Sequence, residues 1–439
     1  MKKRPDLCHL FSCVGLDRKT IRKLAFETGF CKRHSGKINA PDFVIHLCLE
    51  SISGTVSYND LAARVEARTG IAASRQAYWE RTDEACTMLF QRILERVMLS
   101  KCNPRQIQSI KRQGRFKRIL LQDSTIIKLP QRLMESFSGV RNAHTIVGNA
   151  RIQGIYDLMS GHFLHFSIDP YSRNDRAATL DLAVQHGDLV LRDRGYFTFQ
   201  AIKEHTRAGA DSIYRYPHPT ILHDSTTGRK IELLQLLNVN DFLDMWVDAG
   251  PDQSLHFRLI AFPVPEEMAN LRRMKAKKAV KGHKPSHEIL KLMSWSIFLT
   301  TIADPSITAN EIAALYGLRW RIENIFKTWK SYFNFQKVHN VPEIQLRVLL
   351  KARLIMITLA YERLFLPLLQ KLRKTNSQPL SLIKFMRYIT RNLNLLSIRF
   401  NPKSPPPRLC SALQRYCSYD KRSRTNFITE MEAVVLSTA

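Results

Sequence analysis

Asp188-Leu189-Val190-Leu191-Arg192-Asp193-Arg194-Gly195-Tyr196 is the stretch on which the fold turns. Its first five residues form a short apolar run, and the run ends in an acid that opens a turn containing glycine. Residues 198–207 then carry helical periodicity, and residues 211–216 return to a strand pattern. Strand, helix, strand is the repeating unit of a sheet covered by helices. Upstream, Phe116-Lys-Arg-Ile-Leu-Leu-Gln122 is a second apolar run, ending in Asp123-Ser124-Thr125. Residues 151–158 and 162–168 read as two strands of a hairpin turning at Ser160-Gly161. Further strands are expected over 245–248, 256–262 and 295–302. The fold class is therefore α/β, a mixed sheet with helical regions at both ends of the chain.

The flanks extend this reading. Residues 1–112 are helical in pattern, with apolar spacing of three and four over 43–52 and 86–99. Between those segments lie Tyr58-Asn-Asp-Leu-Ala-Ala-Arg-Val, then Thr69-Gly70-Ile71, then Ser74-Arg75-Gln76-Ala77-Tyr78-Trp79. A helix, a turn with Gly and a helix opening on Ser are compatible with helix-turn-helix or with an ordinary helical hairpin. The expected division is 1–112, a helical DNA-binding region; 113–216, the first part of the core; 217–293, a largely β insertion with a basic segment; 294–340, the second part of the core; and 341–439, a helical C-terminal region broken by Pro402-Lys-Ser-Pro-Pro-Pro407. The basic segment holds Arg272, Arg273, Lys275, Lys277, Lys278, Lys281 and Lys284 within thirteen residues.

Lys plus Arg number 67 and Asp plus Glu 38 in 439 residues, a formal charge of +29. Such an excess points to a polyanion, and nucleic acid first, because neutralising phosphates releases counterions. No signal-peptide core is present, and the most apolar later run, residues 354–361, is bounded by Arg353 and Glu362, so neither export nor a membrane span is expected. The eight cysteines make no Cys-x-x-Cys pair. Reduced thiols in a cytoplasm are the simpler reading; a zinc site at Cys8, Cys13 and Cys31 is the other.

The chemistry gathers on one segment. Residues 307–333 read as a single long helix with Thr308 as N-cap. At about 100° per residue, Tyr316, Arg319, Glu323, Lys327 and Lys330 share one stripe, and Leu315, Leu318, Ile322, Ile325, Phe326 and Trp329 lie opposite. One carboxylate would then sit on an open face ringed by cations and a phenol, although a solvated amphipathic helix has a similar pattern. Asp123 and Asp193 each end an apolar run. Two such acids and a third from a helix across the sheet can hold two divalent ions about 4 Å apart, an arrangement suited to phosphodiester chemistry. Hard oxygen ligands select magnesium or manganese over zinc. Asp157, Asp169, Asp175 and Asp188 compete for such a role. His144, His162, His165 and His186 show no metal-pair spacing. Arg215, closing the strand 212–216, is read as a DNA contact, with pairing to an acid as the other reading.

The segment Tyr316-Gly-Leu-Arg319-Trp-Arg-Ile-Glu323-Asn-Ile-Phe-Lys-Thr-Trp-Lys330 resembles the Y-R-E-K signature of bacterial insertion-sequence DDE transposases of the IS-four family. Leu121-Gln-Asp123-Ser-Thr125 resembles that family's first aspartate motif, and Leu189-Val-Leu-Arg-Asp193-Arg-Gly-Tyr196 its second. At low detail the resemblance covers residues 11–351. It implies an RNase H-like core with a β insertion, and magnesium-dependent cleavage at transposon ends with strand transfer by the freed 3′ hydroxyl. It further implies a homodimer acting on double-stranded DNA at paired terminal inverted repeats and at target DNA. By position Asp123, Asp193 and Glu323 would be the catalytic metal ligands, and Tyr316, Arg319 and Lys330 would contact DNA phosphates. Trp295 and Trp320 are candidates for stacking on a displaced base. Two other readings stand beside this one: a related nuclease without strand transfer, and a DNA-binding protein without catalysis.

Overall fold

A computed structural model describes residues 8–33, 36–52, 54–100, 115–139, 141–142, 145–279, 285–374, 378–392, 406–419 and 433. Cys102, His144, Lys281, Lys284 and the start of the Pro-rich break lie outside them. The helices in chain order are α1 Cys8–Ser12, α2 Arg18–Glu27, α3 Ala40–Ser51, α4 Tyr58–Thr69, α5 Arg75–Glu80, α6 Glu84–Leu99, α7 Phe199–Arg207, α8 Leu233–Val239, α9 Glu266–Ala279, α10 His287–Leu292, α11 Ala309–Gly317, α12 Trp320–Tyr332, α13 Glu343–Thr358, α14 Leu366–Lys374, α15 Leu382–Arg391 and α16 Pro407–Cys417. The strands are β1 Arg118–Leu129, β2 Arg141–Asn142, β3 Thr145–Ile146, β4 Gly148–Asp157, β5 His162–Pro170, β6 Asp188–Arg192, β7 Asp211–Arg215, β8 Leu222–Asp224, β9 Leu243–Ala249, β10 Leu255–Pro263 and β11 Trp295–Thr300.

Two compact units share this chain. Met1–Gln108, Ser124–Arg173 and Arg321–Phe427 form the first; Ser109–Asp123, Asn174–Trp320 and Ile428–Ala439 form the second. In the first unit every residue of α3 is buried, and its two acids, Asp42 and Glu50, are paired with Arg18 and Arg64, as buried charges require. Phe43 on α3 packs on Phe30, Tyr78 and Phe90, with ring centroids 5.2, 6.0 and 6.4 Å away. Helix α13 is nearly as buried, and its Arg353 reaches the carbonyls of Ser51 at 2.6 Å and Phe335 at 3.2 Å as well as that of Gly54. A buried guanidinium is tolerable only with acceptors of this kind. Two helices form on either side of the Gly70 turn: Gly70 caps α4 at φ 72°, and the Ser74 hydroxyl caps α5. Strands β4 and β5 form the expected hairpin, turning at Gly161 with φ +74°.

The second unit holds a mixed sheet. Strand β6 pairs in parallel with β1 and with β7. From β7 the order runs through β11, β10, β9 and β8, all antiparallel neighbours. Helix α7 covers it, with Thr198 as N-cap. Phe197, Tyr214, Val247, Phe257 and Leu299 lie in one apolar core. Residues 217–293 extend this sheet by β8, β9 and β10 and also carry α8, α9 and α10; the basic segment begins within α9.

Two expectations need correction. The segment 307–333 is not one helix: α11 ends at Gly317, Leu318 and Arg319 form a turn, and α12 starts at Trp320. Glycine is a poor helix interior residue, and the break falls directly after it. The second correction concerns β1, which does not stop at Gln122 but runs on to Leu129 with the last residues alternating in burial. Asp123 therefore lies within a strand, at the point where its parallel pairing to β6 ends.

Candidate active site

The β1–β6 register places the two aspartates. Gln122 is paired with Arg192, the last pair of the two parallel strands, so Asp123, still within β1, and Asp193, the first residue past β6, both follow directly on that pair. What precedes them is polar but fully buried, and both residues are anchored. The Gln122 side-chain amide donates to the Ala178 carbonyl at 2.8 Å, and the Arg192 guanidinium donates to the Thr179 carbonyl at 2.7 Å. Arg192 also lies over the Tyr196 ring. The pair ties both strand ends to the segment 178–179, so the acids that follow start from a fixed backbone. An arginine inside an apolar run is the sequence signal that could have marked this anchor.

Three more of the expected residues meet these acids within the second unit. Arg319, in the turn between α11 and α12, brings a guanidinium nitrogen 3.7 Å from an Asp123 carboxylate oxygen, with side chains 8% and 17% exposed. Tyr316 on α11 is buried, with its ring edge-on to Phe298. The guanidinium groups of Arg319 and Arg215 lie 5.6 and 5.9 Å from the Tyr316 ring centre, within cation–π reach. Burial pushes the Tyr316 phenol above its ordinary value; the two arginines oppose this and the nearby Asp193 adds to it. Asp123, Asp193, Arg215, Tyr316 and Arg319 thus form one cluster of alternating sign.

The open, cation-ringed stripe expected on a single helix is not what carries this cluster. Tyr316 and Arg319 are buried, and the break at Leu318–Arg319 separates their helix from that of Glu323. A stripe drawn at constant angle holds only while the helix is continuous. Glu323 lies in the first turn of α12, part-exposed, in the first unit. On the same helix Lys327 is exposed and Lys330 half-buried, and burial lowers the Lys330 ammonium.

The competing acids have structural partners. Asp188 takes two nitrogens of Arg118, Asp169 pairs with Arg173 and Asp157 accepts from the Met159 N–H. Asp175 lies against Gly195, where an added Cβ would come 3.2 Å from its Oδ2. Cys8, Cys13 and Cys31 form no metal cluster; the Cys8 sulfur instead receives the Arg68 guanidinium at 3.2 Å. Trp320 is exposed beside Arg319. Trp295 lines a cavity of about 410 Å³ in the second unit with Arg194, Arg215, Tyr216, Arg272 and Lys275.

A fit to divalent metal rests on donor chemistry. Asp123 and Asp193 are hard oxygen donors side by side in register. Among the described residues no three His, Cys, Asp or Glu side chains are gathered as a ready metal set.

With two aspartates at the end of one parallel pairing and Tyr316 and Arg319 beside them, comparison with known proteins is decisive. The model of the transposase DDE domain matches residues 114–359, more than half of the chain. The chain belongs to the DDE transposase family. It is a DNA transposase, an enzyme that cleaves DNA and transfers strands. It is 26% identical over 419 residues to the transposase for insertion sequence element IS231B of Bacillus thuringiensis subsp. berliner, covering 89% of this chain and 87% of the relative. Identity is 28% over 402 residues to the IS231D transposase of B. thuringiensis subsp. finitimus, covering 86% and 83%. Against the IS1151 transposase of Clostridium perfringens it is 25% over 374 residues, covering 79% and 78%. The mixed sheet is the RNase H-like core of this family, and family members use divalent metal. Among the described residues no helix is long and apolar enough to cross a membrane.

Proposed function

We propose that this transposase cuts at the ends of its own insertion sequence with Asp123, Asp193 and Glu323 as the acids of a two-ion magnesium or manganese centre. The observation that carries this is the register: Gln122 opposite Arg192 puts the two aspartates side by side at the end of the parallel pairing. Divalent ions held there would favour deprotonation of the attacking water or 3′ hydroxyl and stabilise the leaving oxygen. Glu323 would complete the set when transposon DNA is bound.

The remaining residues act on the DNA. Arg319 stands against Asp123 and would restrain it before metal and DNA arrive. Tyr316, Arg319 and Arg215 would hold the terminal phosphates, a role for which planar guanidinium groups are suited. Lys327 and Lys330 would extend the contact along the strand. The cavity at Trp295, with its four cationic neighbours, has the chemistry for an unpaired nucleotide: a flat ring for the base and charge for the phosphate. Helices α4 and α5, with Arg75, Gln76 and the exposed Trp79, would read the terminal inverted repeats as helix-turn-helix. A homodimer would pair the two ends and join them to target DNA.

The test is a cleavage assay on a plasmid carrying the DNA that flanks the gene. Wild type is expected to cut at the element's ends only with magnesium or manganese. Glu323→Gln is expected to bind that DNA and leave it uncut. Normal turnover by this variant would refute the assignment of Glu323.

A further inference from the structure

Helix α13 does not continue as an α-helix: residues Leu359–Phe365 form a π turn before α14. Such turns are rare and cluster at functional sites, because they spend regular hydrogen bonding to aim side chains. Here three consecutive residues of the turn, Tyr361, Glu362 and Arg363, each find a distinct polar partner within the first unit. The Glu362 carboxylate, fully buried, accepts from the Phe163 N–H at 3.2 Å and pairs with His162 Nδ1 at 2.8 Å. Burial raises the Glu362 carboxyl, and His162 opposes that. Arg363 donates to the Ser100 hydroxyl at 2.6 Å. The Tyr361 hydroxyl is shared: it lies 2.6 Å from the Tyr156 hydroxyl on β4 and accepts from the Arg321 guanidinium at 3.2 Å.

Arg321 is the telling member. It is buried, 6% exposed, and sits two residues before Glu323 in the first turn of α12. The opening turn of α12 follows directly on the turn at Leu318–Arg319, where the bonding tightens: the Leu318 N–H donates to the Leu315 carbonyl and the Arg319 N–H to the Tyr316 carbonyl, each at 3.1 Å. A short stretch of such tight bonding often marks a hinge, so tertiary contacts can set the direction of the turn that follows. A buried guanidinium bonded to the phenols of both Tyr361 and Tyr156, which are bonded to each other, does so, because every member is desolvated and the geometry is narrow.

We infer that Tyr361, with Tyr156, is a positioning pair for Glu323: through Arg321 it sets the first turn of α12 and thereby the direction in which the Glu323 carboxylate leaves that helix. Neither tyrosine touches DNA or metal in this account. The inference rests on the reading of Glu323 as a catalytic acid.

The variants are Tyr361→Phe, which keeps the ring and deletes the hydroxyl 3.2 Å from Arg321, and Tyr156→Phe, which deletes the second hydroxyl of the network. Full-length protein is assayed on the same plasmid for single-turnover cleavage against magnesium concentration, for DNA affinity and for melting temperature. Tyr361→Phe is expected to cut about 10- to 100-fold more slowly, the scale on which displacement by an ångström acts. Its half-saturating magnesium concentration should rise several-fold while DNA affinity stays unchanged. Tyr156→Phe should show a smaller change in the same direction. A purely structural role would lower the melting temperature and leave the magnesium dependence alone. In the DNA-free protein, amide exchange over residues 321–325 should quicken in Tyr361→Phe, a readout that needs no activity. Unchanged exchange, or wild-type rate and metal dependence in Tyr361→Phe beside an inactive Glu323→Gln, would overturn the positioning role alone. Normal cleavage by Glu323→Gln would overturn the reading beneath it.

Discussion

Acid should weaken the second unit through one histidine. His205 on α7 is 3% exposed, with its Nδ1 3.3 Å from the Ser212 hydroxyl on β7. Burial, and then the Arg192 guanidinium, hold its pKa down to about 3. The native imidazole is therefore neutral, whereas in the unfolded chain it titrates near 6.5. The unfolded state takes up a proton first as pH falls. The stability this histidine permits is complete above pH 6.5 and is lost progressively from there towards pH 3. At about 1.4 kcal/mol per unit of pKa difference, the loss is roughly 2 kcal/mol at pH 5 and 3 kcal/mol at pH 4. Protonation would place a second buried cation beside Arg192, the residue that anchors the strand end before Asp193. His205→Gln, which cannot titrate, should remove this component. The assay is urea unfolding of both proteins from pH 7.5 to 4, taking wild type minus variant at each pH so that other carboxylates cancel. That difference should change by about 3 kcal/mol in favour of the variant at the acid end. Histidine-selective NMR should show the His205 ring silent above pH 4. A difference that stays flat with pH, or a His205 ring titrating near 6.5, would refute the argument.

Two further outcomes are expected. Trp329→Ala on α12 empties a site packed by Phe163, Phe166, Phe326 and Phe335, with centroids between 4.8 and 5.6 Å. The cost should be about 3–5 kcal/mol by chemical denaturation, and a loss below about 1 kcal/mol would mean the site collapses or was never filled. Lys330→Ala should weaken binding to transposon-end DNA and make its salt dependence shallower by about one unit of slope, the signature of one lost phosphate contact. An unchanged slope would place Lys330 away from the DNA.

Some elements were legible because their signals are local. Strand β6 has the limits its apolar run suggested, since Gly187 and Asp193 bound it with turn chemistry. Thr198 caps α7 and Thr308 caps α11 through a capping box with Glu311. The hairpin at Gly161 followed from one glycine at positive φ. The break after Gly317 was hidden, because apolar spacing of three and four continues across it while the backbone bonding tightens from the α-helical pattern to a turn. The extension of β1 past Asp123 was hidden for a similar reason: its second half is one-sided and polar residues alternate there, which resembles a loop until a partner strand is known.

Residue types and spacing alone determined the α/β class and the basic character, and marked the three acids and the Tyr-Arg-Glu-Lys segment as candidates. These are properties of neighbours along the chain: strand runs, caps and turn residues interact over a few positions. Tertiary structure alone decided which residues stand together. It put Asp123 beside Asp193 through a register between segments some seventy residues apart. It turned Arg319 onto Asp123 rather than towards solvent, buried Gln122 and Arg192 as anchors, and brought Tyr361 to Arg321. Sheet register, burial and long-range hydrogen bonds are set by the packing of distant segments against one another, and no local pattern in a single chain encodes them.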